Sequence, residues 1–88
     1  MTEAAETRLK RLKIRSWRRG TKEMDLILGK WSDRNLPEMD ETTLDAYEAL
    51  LDENDQDLYL WVSGQAVPPE HLAPLISRIA RETVNHPN

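Results

Sequence analysis

Three residues near the start of the chain combine opposite charges with a bare stretch of backbone. In the segment SWRRGTKEMD, Arg19 and Gly20 are adjacent, and Glu23 follows three residues after the glycine. Arginine carries a planar set of donors that suits a carboxylate, a phosphate or a carbonyl group. Glycine has no Cβ, so the backbone of another molecule can approach it closely. This combination predicts a contact point for a partner protein.

The chain lacks the groups that catalysis or metal binding would need. It has no cysteine, and its two histidines, His71 and His86, lie fifteen residues apart. Disulfides and thiolate metal sites are therefore excluded, and no spacing typical of a metal site is present. No nucleophile beside a base and no glycine-rich phosphate loop can be recognised. We therefore predict a binding protein and not an enzyme, with no catalytic residues, no metal site and no stably bound cofactor.

The same cluster also has a purely structural interpretation. If Gly20 is the N-cap of a helix, Glu23 is its third residue and can reach back to the N–H of the cap, as in half of a capping box. The negative charge of Glu23 would suit the positive end of the helix dipole. Gly20 would then only permit a sharp turn between two helices. Sequence physics alone leaves both interpretations open.

The short chain predicts one small helical domain. Its 88 residues allow at most one domain with a thin core, which we expect over residues 1–88 with a core at about 6–84 and frayed ends. No apolar run approaches the ~18 residues of a membrane span, and no signal-peptide pattern is present. We therefore expect a cytoplasmic protein that does not enter a membrane.

Apolar residues recur at helical spacing in five segments, and no strand-like alternation persists. We therefore predict an all-α fold, a compact bundle of five short helices. Gly29, inside the second helix, suggests a close approach by another helix. The tryptophans and tyrosines are interpreted as packing residues. The predicted elements are a helix from Glu6 to Trp17 or Arg18, a helix from Thr21 to Trp31, a loop over 32–39, a helix capped by Asp40 that ends near Leu51, a helix capped by Asp55 that stops at Gly64, and a last helix from Pro69 or from Ala73.

Charges are divided unevenly along the chain. Eight cations lie within residues 8–22, nine acids lie within residues 38–57, and the net charge is −4. The basic first helix is able to neutralise phosphates, which makes a small nucleic-acid-binding or antitoxin-like regulatory protein the alternative function. Against it, the chain is acidic overall and shows no recognition-helix pattern. The other interpretation is that the two halves face each other as surface ion pairs.

The chain resembles the family of succinate dehydrogenase assembly factors in two segments. The family signature Arg-Gly-x-x-Glu is matched by Arg19, Gly20 and Glu23. The stretch LLDENDQDLYLWVSG, residues 50–64, follows at the distance expected for the family. The resemblance extends over about residues 8–80, nearly the whole domain. Neighbouring residues that also suit the family are Ser16, Arg18, Asp25 and Leu26.

The resemblance implies both a fold and a function. Family members are five-helix bundles that promote covalent attachment of FAD to a histidine of the flavoprotein subunit of succinate dehydrogenase, and often of the related fumarate reductase. It implies that this chain binds such a flavoprotein through Arg19, Gly20 and Glu23, with Arg18 and Asp25 as further contacts. The flavin chemistry would belong to the partner. We expect a monomer that forms a one-to-one complex and binds neither nucleic acid nor membrane.

Overall fold

Helices joined by short connections account for most of residues 3–84, the part of the chain that the computed structural model describes. Within that part there is no strand, and the predicted all-α bundle of five short helices is confirmed. The predicted fraying of the two ends falls largely on residues that lie outside the described range. The elements in chain order are α1 (Ala5–Trp17), α2 (Lys22–Asn35), a short 3-10 turn (Leu36–Glu38), α3 (Glu41–Leu51), α4 (Asp55–Val62) and α5 (Ala73–Val84).

Polar residues cap the two middle helices. Asp40 is the N-cap of α3, as predicted, and its carboxylate accepts a hydrogen bond from the Thr43 N–H at 2.8 Å. The cap of α4 is Asn54, one residue before the predicted Asp55, because its amide oxygen accepts from the Asp57 N–H at 2.9 Å. Gly64 follows α4 with a φ of +81°, as the predicted stop requires.

The second helix is longer than predicted. It continues to Asn35, so the first half of the expected loop over 32–39 is helical. The polar residues there bond within the helix: the Ser32 hydroxyl donates to the Gly29 carbonyl at 2.8 Å, and the Asn35 amide donates to the Trp31 carbonyl at 2.9 Å. Local polarity therefore did not signal the end of this helix.

The last helix begins at the later of the two predicted positions. It starts at Ala73, after a turn in which the Leu72 and Ala73 N–H groups donate to the Pro69 carbonyl. Pro74 is thus the second helical residue, where no N–H is needed for the intrahelical ladder.

The core is built around two aromatic rings. Trp31 and Tyr47 are buried, with ring centroids 5.3 Å apart. The Tyr47 hydroxyl is within hydrogen-bonding distance, 2.6 Å, of the buried Ser16 hydroxyl, which ties α1 to α3. The predicted packing role is confirmed for these two rings, whereas Tyr59 is 39% exposed. The aliphatic residues of the core include Leu12, Leu28, Leu50, Leu58, Leu72 and Ile79.

Gly29 lies where the end of α1 packs closely on α2, as its position predicted. A Cβ added there would clash with the indole ring of Trp17. The same indole donates to the Asp33 carboxylate at 3.2 Å, one turn further along α2. The end of α1 is therefore held against the middle of α2, and this contact positions the turn that joins them.

Ion pairs connect the basic first helix to the acidic middle of the chain. Arg8 contacts Asp45 at 2.6 Å and Glu48 at 3.0 Å, and Arg11 contacts Glu48 at 2.9 Å. The two oppositely charged halves therefore face each other, as one of the two charge interpretations predicted.

We expect Gly29→Ala to destabilise the protein by about 1 to 3 kcal/mol, since the new methyl group overpacks the site against Trp17. In a Trp17→Leu background the same change should instead stabilise the helix by up to about 1 kcal/mol, the difference in helix propensity. Urea unfolding of wild type, Gly29→Ala, Trp17→Leu and the double variant measures both effects. An equal loss in the two backgrounds would show that the ring contact is not the cause.

We also expect the contribution of Glu48 to depend on pH. Its hydrogen bond from Arg11, reinforced by one from Arg8, outweighs burial and holds the pKa of Glu48 below its ordinary value. A lowered folded-state pKa stabilises the protein above the unfolded-state pKa, and this stabilisation is lost as pH falls through the folded-state pKa. The stability difference between wild type and Glu48→Gln should therefore shrink from pH 6 to pH 3, about the range in which a carboxylate protonates. Glu70→Gln, at an exposed site without an ion pair to the described residues, is the control; a Glu48→Gln difference that stays constant with pH would contradict the prediction.

Candidate functional site

The turn between α1 and α2 presents bare backbone at Gly20. This residue is exposed and has a φ of +99°, in the left-handed region that favours glycine. Apart from Gly20 itself and its two neighbours in the chain, no described atom lies within 4 Å of the place where its Cβ would stand. The space above Gly20 is therefore open to solvent, and we call this point the notch. A partner backbone has room to approach it.

The helix that follows the notch is capped by Thr21 and not by Gly20. Thr21 has extended backbone geometry, and its hydroxyl accepts a hydrogen bond from the Met24 N–H at 3.3 Å. The half capping box expected from Gly20 and Glu23 is therefore wrong, because Glu23 becomes the second helical residue. A hydroxyl cap supplies the acceptor that a glycine lacks.

Glu23 lies at the surface beside the notch. It is exposed and forms no ion pair with any described residue. Its place in the first turn of α2 still suits the helix dipole. Its carboxylate is therefore available to a cation or a donor of another protein.

Arg19 points in the opposite direction, into its own chain. Its Nε atom donates to the Asp55 carboxylate at 2.8 Å, and its two terminal nitrogens donate to the Leu51 carbonyl at 2.6 Å and the Glu53 carbonyl at 2.7 Å. Only 9% of the Arg19 side chain is exposed. The planar set of donors is thus occupied by the connection between α3 and α4, and its use by a partner stays a prediction.

Arg18 and Asp25, the two further candidate residues, differ in their exposure to solvent. Arg18 is exposed at the end of α1. Asp25 is half-buried, and its carboxylate accepts the backbone N–H of Arg19 at 2.5 Å. The structure therefore brings Gly20 and Glu23 together at the surface and places Asp25 and the Arg19 side chain beneath them.

A groove of about 550 Å³ adjoins Glu23 and separates the start of α2 from α4. We call it the α2–α4 groove. Two large apolar side chains of α4 line it, Tyr59 and Leu60, which are 39% and 37% exposed. Sequence reasoning interpreted Tyr59 as packing and did not single out Leu60. The sequence did carry a signal for their exposure: both residues lie outside the helical face formed by Leu58 and Val62, which is the face that α4 buries. The lining residues are Thr21, Lys22, Glu23, Met24, Asp55, Gln56, Tyr59 and Leu60.

The basic first helix is largely neutralised by its own chain. Besides Arg8 and Arg11, Arg15 contacts Asp52 at 2.9 Å and Arg19 contacts Asp55 at 2.8 Å. The alternative function as a nucleic-acid-binding or antitoxin-like protein depended on these cations and is not supported. Among the described residues, no helix is both long enough and apolar enough to cross a bilayer.

Comparison with known proteins matches most of this chain to one family. The sequence profile of the family described as "Flavinator of succinate dehydrogenase" matches residues 10–83. The chain is 33% identical over 82 residues to the mitochondrial succinate dehydrogenase assembly factor 2 of Arabidopsis thaliana, covering 91% of this chain and 44% of that protein. It is 39% identical over 61 residues to the protein of the same description from Meyerozyma guilliermondii, covering 69% of this chain and 45% of that protein.

A bacterial relative is nearer in length. The FAD assembly factor SdhE of Legionella pneumophila strain Lens is 37% identical over 62 residues, which cover 70% of this chain and 78% of that protein. By contrast, the matched region spans less than half the length of the two mitochondrial relatives. The resemblance inferred from Arg19, Gly20 and Glu23 is thereby confirmed for the family.

Proposed function

Because this chain belongs to the family of succinate dehydrogenase flavinators, we propose that it promotes covalent attachment of FAD to the flavoprotein subunit of succinate dehydrogenase. The observation that carries the proposal is a family signature whose exposed part, Gly20 and Glu23, borders an open notch and an apolar groove. These features suit docking on a larger protein.

The docking face that we propose combines three kinds of contact. At Gly20 the partner backbone approaches without obstruction. Glu23 supplies a carboxylate that no described residue neutralises, and Tyr59 and Leu60 supply apolar area next to it. Interfaces gain most of their binding energy from a few such aromatic and apolar contacts, with charged groups at the rim setting orientation. Arg18, which is exposed beside the turn, extends this face.

The proposed mechanism is a shift of the partner's conformational equilibrium. The chain contains three glycines, Gly20, Gly29 and Gly64, too widely spaced to form a phosphate-binding loop, so we propose that it binds no FAD stably and performs no chemistry. By binding the arrangement in which the flavin and the receiving histidine meet, it would favour that arrangement. A preference of ~3 kcal/mol changes the population roughly a hundredfold.

The proposal extends to the stoichiometry of the complex and to a second client. Because Thr21, the residue after Gly20, already lines the groove, we propose that a monomer binds one flavoprotein subunit through both features. We also propose the related flavoprotein of fumarate reductase as a second client. The cytoplasmic location stays a prediction, because the Arabidopsis and Meyerozyma relatives are described as mitochondrial.

We expect Gly20→Arg to remain folded and to lose binding to the flavoprotein subunit by about a hundredfold, because a long side chain fills the notch. Gly64→Arg is the matched control. Gly64 has a φ of +81°, against +99° for Gly20, and its Cβ position is equally open. Both variants should therefore lose about 1 to 2 kcal/mol of stability from left-handed strain. Affinity is measured by calorimetry with the isolated flavoprotein subunit.

The control separates docking from folding. Loss of affinity in Gly20→Arg alone supports the docking face at the notch. Equal affinity for wild type and Gly20→Arg would remove Gly20 from the interface. Unfolding of Gly20→Arg but not of Gly64→Arg would return Gly20 to a purely structural role.

We expect Glu23→Ala to slow flavin attachment about tenfold with helicity unchanged, since the variant removes an exposed charge from the docking face. Glu41→Ala is its control, because Glu41 is likewise an exposed acid in the first turn of a helix but lies outside the α2–α4 groove. Flavin fluorescence of the partner subunit on a denaturing gel measures the attachment. A normal rate in Glu23→Ala would exclude this carboxylate from the mechanism.

A further inference from the structure

The Arg19 side chain is held at each of its three nitrogens. The ion pair to Asp55 joins it to the first residue of α4, and the two carbonyls that it contacts, those of Leu51 and Glu53, lie at and just after the end of α3. Carbonyls at a helix end lack partners within the helix, so a guanidinium there satisfies acceptors that would otherwise need water. Both members of the ion pair are largely buried, with 9% and 16% of the side chains exposed.

The backbone of Arg19 is fastened to a different element. Its N–H donates to the Asp25 carboxylate in the first turn of α2. Arg19 therefore links α2, through its backbone, to the connection between α3 and α4, through its side chain. Gly20, the next residue, is the notch, and Asp55 lines the α2–α4 groove. The bonds of Arg19 thus connect the backbone beside the notch to the first residue of the helix that carries Tyr59 and Leu60.

We propose that Arg19 is a positioning residue that holds the two parts of the docking face in register and does not itself contact the partner. We call its contacts with Asp55 and the two carbonyls the Arg19 latch. The inference rests on the proposed function and assigns Asp55 a role in it. Lysine cannot replace the arginine, because one compact ammonium group does not reach a carboxylate and two carbonyls in the same plane.

The experiment compares Arg19→Gln, Asp55→Asn and the double variant in binding to the isolated flavoprotein subunit by calorimetry at 10 °C. Each single variant should lose affinity about tenfold, and the double variant should lose no more than either, because both changes open one latch. Asp52→Asn is the matched control. It removes the same charge three residues before Asp55, but Asp52 is 70% exposed and, among residues 3–84, pairs only with Arg15. It should bind like wild type.

Three results would contradict the positioning role of Arg19. If Arg19→Gln loses affinity while Asp55→Asn binds like wild type, Arg19 contacts the partner directly. If both variants melt earlier but bind with unchanged affinity, the contacts serve the fold alone. If the losses in the double variant add fully, the two residues act separately.

A measurement on the unmutated protein tests the proposal even if the variants fail to fold. The Nε–H proton of Arg19 should exchange slowly with solvent by NMR in the free protein, and should keep its chemical shift when unlabelled flavoprotein subunit is added. A large shift of that signal on binding would overturn the proposal. If the wild-type protein does not bind the flavoprotein subunit at all, the proposed function is overturned, and the positioning role with it. If the wild type binds and Asp55→Asn binds equally well, only the positioning role is overturned.

Discussion

The arrangement of the site depends on a row of ion pairs that joins the first helix to the middle of the chain. Arginines at positions 8, 11, 15 and 19 face acids at positions 45, 48, 52 and 55. Each row recurs every three or four residues, begins on one helix and continues past its end, from α1 to the turn after it and from α3 to the start of α4. The pairs at the exposed end contribute little individually, because water screens them. The last pair differs, since Arg19 and Asp55 are largely buried and the guanidinium also bonds two carbonyls. The row therefore ends in its most buried pair, at the residue that precedes the notch.

This last ion pair explains how one short motif would serve both folding and the docking that we propose. Consecutive residues of the turn face opposite ways: the Arg19 side chain goes inward, whereas Gly20 and, one turn on, Glu23 stay at the surface. Asp25 returns inward and accepts the Arg19 N–H. The structural and the functional interpretations of the motif are therefore not exclusive, because its charged residues divide between them. The arginine that we expected to be offered to a partner is the one whose donors its own chain occupies.

Local sequence patterns predicted the elements well and their contacts poorly. Apolar spacing identified all five helices, and Asp40, Gly29 and Gly64 act as their residue types suggest. Caps were displaced by one residue, from Gly20 to Thr21 and from Asp55 to Asn54, because in each case both neighbouring residue types are common N-caps. The contact of Arg19 with Asp55 spans 36 residues, and no local pattern encodes such a distance. The recurrence of both charged rows at intervals of three or four residues was visible in the sequence, but it becomes informative only once the two segments are known to lie side by side.

In the function that we propose, the chain acts on a large partner through binding energy, and binding energy is lost when the surfaces must first be ordered. The features described here limit that loss. The notch is held in its left-handed conformation from both sides, by the Thr21 cap on one and by the Arg19 contacts on the other. Trp17 packed on Gly29 prevents the two helices from sliding apart below it. The apolar residues Tyr59 and Leu60 are carried by a helix and not by a loop, so their positions are already defined before a partner arrives. A preorganised face of this kind would discriminate between the two client arrangements of the proposed mechanism, since it does not adapt to the wrong one.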